Sequence, residues 1–140
     1  MGEDISARCD AIEECYEYML AYAGQGLAGN EGSPTSAQVR DFLQRAGDAV
    51  SGLPEAYTAA IKSDRSKLPE PYRAFFGVLE RDARDSLAAI QLVLAQTTIS
   101  SQLIDNLNAS IHLRALLTDL FLIDEILKPQ RVREKPAAIE

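Results

Sequence analysis

Between Asp4 and Ala23 the residues Ile5, Cys9, Ile12, Tyr16, Met19 and Ala23 recur at steps of four and three. That spacing returns to one side of an α-helix at every turn, whereas a strand, whose side chains alternate, would scatter the same residues over both faces. The pattern comes back as Val39, Phe42, Leu43, Ala46, Val50 and Leu53, and again as Tyr72, Phe76, Leu79, Ala83, Leu87, Ile90 and Leu94. A further apolar segment covers 103–127, and nowhere does a β-branched run alternate between turn signals. The expected fold is therefore all-α: an antiparallel four-helix bundle with helices at about 4–23, 34–63, 70–96 and 101–128. Proline cannot donate to the preceding turn, so the second helix should kink at Pro54. Residues 1–128 are expected to form a single helical-bundle domain, and 129–140 a short, Pro-containing, flexible C-terminal tail.

The links carry their own signals. "AYAGQGLAGNEG" at 21–32 has the G-x-G-x-x-G spacing of a phosphate-cradling loop. Such a loop works by following a strand and opening a helix whose amide-rich N-terminus meets the anion. Here a helix precedes it, and an acid and Pro34 intervene before the next one, so the glycines read as a helix stop. Ser33 or Thr35 caps the second helix with Pro34 in its first turn, and Thr35 with Gln38 has capping-box spacing.

The fourth helix has too much apolar surface. At 100° per residue, Ile104, Leu107, Ile111, Ala115, Leu122 and Ile126 lie on one side, and Leu113, Leu116, Leu117, Leu120, Ile123 and Leu127 roughly opposite. One stripe suffices to face a bundle core, so the second face, Leu113 to Leu127, is expected to meet a partner: a homodimer or another protein. Two intramolecular solutions stand beside that expectation. A neighbouring helix could wrap further round, or a break near Asn108–Ser110 could let each half bury its own face.

Chemical constellations are sparse. The net charge of −7 excludes a nucleic-acid surface, which needs clustered cations, and no run of eighteen apolar residues exists for a membrane span. Acids rather than bases open the chain, which reads as cytoplasmic and makes the Asn108–Ser110 sequon idle. Cys9 and Cys15 are about 9 Å apart along a helix, too far to bridge, and with a single histidine they cannot make a zinc site. Asp10, Glu13, Glu14 and Glu17 form an acidic strip opposite the first apolar stripe, so no metal and no cofactor is expected.

His112 sits in "IHLRALL", seven residues similar to the phosphoacceptor segments of histidine phosphotransfer and sensor-kinase dimerisation domains. The resemblance implies a phosphoacceptor role for His112. This sequence departs from those patterns in placing Arg114 two positions after the histidine and Leu113, not an acid, directly after it. The helical wheel puts His112 on a polar seam with Asp105, Asn108 and Asp119. Tyr18 and Tyr22, with Ala11 and Cys15, flank the first stripe, and Tyr16, Tyr18, Tyr22 and Tyr57 could rim a partner site or a small-molecule pocket between helices. The expected function is that of a non-enzymatic, acidic protein-interaction module (an adaptor, chaperone-like protein or regulatory subunit) associating through helix four. A small-ligand or cofactor-binding bundle is the alternative, and a phosphotransfer bundle using His112 the third reading.

Overall fold

The computed structural model describes residues 3–61 and 67–134, with side chains described for 4–60 and 67–126. Among these residues all regular structure is helical, in six helices: α1 (Glu3–Ala23), α2 (Pro34–Ser51), α3 (Leu53–Ile61), α4 (Glu70–Leu94), α5 (Ser101–Ala109) and α6 (His112–Glu134). The all-α expectation holds. The count of four does not, because the second and fourth helices are each divided.

The first division falls where proline demands it. Ser33 caps α2, its Oγ accepting the Ser36 amide at 3.2 Å, and Pro34 takes the first turn. At the far end, Arg8 Nη1 donates to the carbonyls of Asp48 and Ala49, covering acceptors that the last turn leaves open. Gly52 follows, and a Cβ there would lie 2.5 Å from the Arg8 guanidinium. The chain then restarts as α3 with Pro54 in its first turn, where a missing N–H costs nothing. Lys62 and Ser63, the expected end of this helix, lie outside the described residues.

α1 packs along α2, α2 on α4, and α4 on α6, while α1 closes the ring against α5 and α6. α3 rests on α1, α2 and α4. The stripes of α2 and α4 bury as the periodicity indicates, through Val39, Leu43, Ala46 and Val50, and through Phe76, Leu79, Ala83 and Ile90. α1 is turned slightly from its expected face. Cys15 and Tyr22 are buried with Ile12 and Met19, leaving Cys9, Tyr16 and Ala23 half-buried at the edge.

The glycine segment is a docked strap. Gly26, Gly29 and Gly32 all have positive φ, the region that favours a residue without Cβ. Leu27 donates its amide to Ser101 Oγ at 2.8 Å, and its carbonyl accepts the Ser101 amide at 2.9 Å. Ser101 Oγ donates in turn to the Tyr22 carbonyl at 2.6 Å, and Tyr22 donates its hydroxyl to the Ile99 carbonyl. Gly29 lies so close to this link that a Cβ would come within 2.3 Å of the Ile99 carbonyl oxygen. Arg40 closes the other side, donating to the carbonyls of Leu94, the last residue of α4, and of Gln96 and Thr97 beyond it. The amides of Gly24 and Gln25 donate back to the carbonyls of Ala21 and Tyr22 at the end of α1, the pattern of a helix stop.

α6 continues past the expected end at Lys128, through Pro129 to Glu134. Part of the expected flexible tail is thus helical backbone, and residues 135–140 lie outside the described residues. No helix of the described residues is long and apolar enough to cross a membrane.

Candidate functional site

The feature that sequence periodicity does not anticipate in detail is the junction between α5 and α6. Ser100 opens α5 by accepting the Leu103 amide on its Oγ at 3.0 Å. Nine residues later the helix ends, with the Ser110 amide shared between the carbonyls of Asn106 and Leu107 and Ser110 Oγ donating to Leu107 O at 2.6 Å. Ile111 then takes φ +60°, and no other non-glycine among the described residues has positive φ. For a β-branched residue this is an outlier, since its Cβ crowds the backbone carbonyl. Its own carbonyl accepts the Ala115 amide at 2.8 Å and so starts α6, with no side-chain cap. Distant contacts hold the junction. Ser86 of α4, itself buried, donates to the His112 carbonyl at 2.9 Å, and Asn108 donates Nδ2 to the Met19 carbonyl of α1 at 3.3 Å.

The turn at Ile111 re-aims everything after it. In α5, Ile104 and Leu107 are buried, on the side the helical wheel assigns to the core. In α6 the assignment is reversed. Leu113, Leu116, Leu117, Leu120 and Ile123 are at most 5 % exposed and belong to the chain's own core. The expectation that this face meets a partner is therefore corrected: these five residues are covered intramolecularly, by the break near Asn108–Ser110 that stood as an alternative. Leu127 lies outside the described side chains. What α6 leaves outside is the continuation of the α5 stripe, with Ile111 57 %, Leu122 51 % and Ile126 43 % exposed. Phe121, 55 % exposed, stands beside them.

At the head of this outer face Ile111, Arg114, Ala115, Thr118 and Asp119 enclose a groove of about 290 Å³. Asp119 forms its inner wall. Burial, and then Asp82 facing it from α4, push the Asp119 carboxyl up from 3.8 to about 7. Its Oδ2 is buried without a hydrogen-bond partner among the described residues. A second cleft, about 250 Å³, opens where α2 gives way to α3 against α4, lined by Val50, Pro54, Glu80, Ala83, Arg84 and Leu87 among others.

The remaining expected site residues are dispersed. His112 is the first residue of α6 and half-buried. Because the helix breaks before it, the seam with Asp105 and Asn108 that a continuous helix would create does not form, and Asn108 is directed to α1 instead. The tyrosines go to separate places. Tyr18 stacks on Phe42 with centroids 4.2 Å apart and donates to Gln38 Oε1 at 3.1 Å, at the seam of α1 and α2. Tyr22 is buried under the glycine strap, Tyr57 is buried beside Phe76 and the Cys9 thiol, and Tyr16 is half-buried on α1. No described pocket has two of them in its wall. Both cysteines are free thiols. Burial first, then the nearby Asp124, push Cys9 up to about 11, and burial pushes Cys15 up to about 12, so neither is a ready nucleophile. Among the described residues no three His, Cys, Asp or Glu side chains are placed to hold a metal ion.

Sequence reasoning recognised that helix four carries two apolar faces but assigned the wrong one to the outside. It missed Phe121 altogether, because an isolated aromatic between the two stripes leaves no periodic signal. No protein-family model, no curated protein and no solved structure matches the chain.

Proposed function

We propose that this protein is a non-enzymatic protein-interaction module that docks through the outer face of α6. The observation that carries the reading is the outer face of α6, where Leu122 and Ile126 one turn apart and Ile111 on the turn before the helix are apolar and about half exposed, with Phe121 alongside. Scattered exposed leucines need no explanation, but an aligned row rimmed by charge is the mark of a surface that spends part of its life covered. The strained Ile111 adds to this. A backbone conformation that costs energy sets an isoleucine outward at the head of the row, where a glycine would have been easier. In this reading α1, α2, α4 and α6 are the four long members of a bundle that serves as a rigid mount for one helix face. The acidic surface, net −7, keeps the rest of the molecule soluble and unattached.

Site-specific photo-cross-linking in the native host tests the proposal. A benzophenone amino acid at position 122 should capture a protein, whereas the same group at Leu92, exposed on α4, should not. Adducts of equal yield from both positions, or none from position 122, would overturn it.

A further inference from the structure

The proposal above leaves open what covers α6, and the pattern of the face itself answers. Its apolar positions are 111, 115, 122 and 126, with Thr118 and Asp119 at the centre. Read from either end the spacing is the same, so reversal about the point between 118 and 119 exchanges Ile111 with Ile126 and Ala115 with Leu122. A surface with that symmetry is complementary to its own reverse, which is what a two-fold interface requires.

The groove supplies the geometry. Arg114, Ala115 and Thr118 on α6, with Ile111 on the turn that precedes it, line a hollow of the size that receives a side chain from a facing helix in knobs-into-holes packing. Under the same reversal the residue opposite the centre of that hollow is Leu122, which stands half exposed and unburied by its own chain. Charge agrees. Arg114 and Glu125 are eleven residues apart and so about 20° apart around the helix, on one flank of the row. In an antiparallel pair like flanks meet, so each Arg114 comes opposite the other chain's Glu125, offset by about 3 Å along the axis, within reach of both side chains. Phe121 lies on this flank too. Asp119 lies on the other, against Asp82 of α4.

We infer that the partner of this face is a second copy of the chain, with the two α6 helices antiparallel, Leu122 of each seated in the Ile111–Arg114–Ala115–Thr118 hole of the other, and reciprocal Arg114–Glu125 pairs along one edge. This rests on the reading of α6 as a docking surface and adds the occupant, orientation and register.

Sedimentation equilibrium on the full chain tests it with a charge swap. The wild type should form a dimer. Arg114→Glu and Glu125→Arg each place like charges opposite one another twice, and each should weaken the dimer by about tenfold. Mixing the two variants restores both pairs and should return a heterodimer within a few-fold of wild-type affinity. A parallel arrangement would not give that recovery. Both substitutions, with Leu122→Glu as a third that should abolish pairing, fall on exposed positions, and circular dichroism melts confirm that each folds. A wild-type chain that stays monomeric at several hundred micromolar, or a mixture no tighter than its components, overturns the inference. If the chain is monomeric while position 122 cross-links to a different protein, self-pairing fails and the docking surface stands. If it is monomeric and nothing is captured, both fail.

Discussion

At the scale of single residues, Gly29 and Ile111 share a left-handed backbone that suits the first and strains the second. Gly29 has φ +75° and no room, since a Cβ would meet the Ile99 carbonyl oxygen at 2.3 Å, while Gly26, at φ +66°, looks onto open space. Gly26→Ala should therefore cost only the left-handed penalty of about 1 kcal/mol. Gly29→Ala must also push the strap off the 99–101 link and should cost about 3 kcal/mol or more. Urea denaturation of the pair measures the difference, and equal losses would mean the strap is not docked. Ile111 is the reverse case, a side chain where glycine belongs. Ile111→Gly should raise stability by about 0.5–1 kcal/mol in a thermal melt, although it deletes an apolar side chain, because the relieved strain exceeds the lost contact of an exposed residue. The same substitution removes one wall of the groove, so it should weaken self-association while strengthening the fold.

At the scale of elements, α6 has two apolar faces with different duties, and truncation separates them. Leu116 is fully buried, and Leu116→Ala should cost about 2–5 kcal/mol through lost transfer energy and the cavity left behind. Leu122→Ala on the outer face should change monomer stability by less than about 0.5 kcal/mol. If instead Leu122→Ala proved the more damaging in a monomeric sample, the orientation of α6 would be wrong. The stripes of α2 and α4 were legible because each lies on an uninterrupted run with one apolar face, so local periodicity and tertiary burial ask for the same thing. The start of α2 was legible too, with Ser33 one of the two caps the sequence offered. α5 and α6 were not. Periodicity treats 101–128 as one helix, and nothing in "NASIHL" obliges a stop: no glycine or proline is present, and isoleucine is among the poorest residues for the conformation Ile111 adopts. The break is imposed from elsewhere, by Ser86 holding the His112 carbonyl and Met19 accepting from Asn108.

At the scale of the whole molecule, the packing of α4 on α6 creates a pH response that neither helix has alone. Burial and the facing Asp82 keep the Asp119 proton bound up to about pH 7, while an unfolded chain releases it near 3.8. The folded state therefore holds a proton that the unfolded state has lost between those two values. Stability contributed by this group is complete below about pH 4, falls as pH rises through the window and levels off above about 7. Discounted for the partial exposure of the group, the change between about pH 5 and 7 should be on the order of 1 kcal/mol, and Asp119→Asn should flatten that part of the profile. Urea midpoints across the range decide it. A wild-type profile that rises through the window would contradict the arrangement of the two carboxylates.

From its residues alone the chain could be only helical: four apolar segments at steps of three and four leave no other way to gather a core, and the glycines and prolines between them mark where the helices end. The surplus of leucine and isoleucine in the last segment was equally visible. Which of its two faces turns inward was decided by tertiary structure. Over 103–127 taken as one helix each face carries six apolar residues, so periodicity alone leaves the choice between them nearly degenerate. A few long-range hydrogen bonds to α1 and α4, strong enough to hold an isoleucine in a left-handed turn, break that near-degeneracy and leave Ile111, Leu122 and Ile126 to the outside.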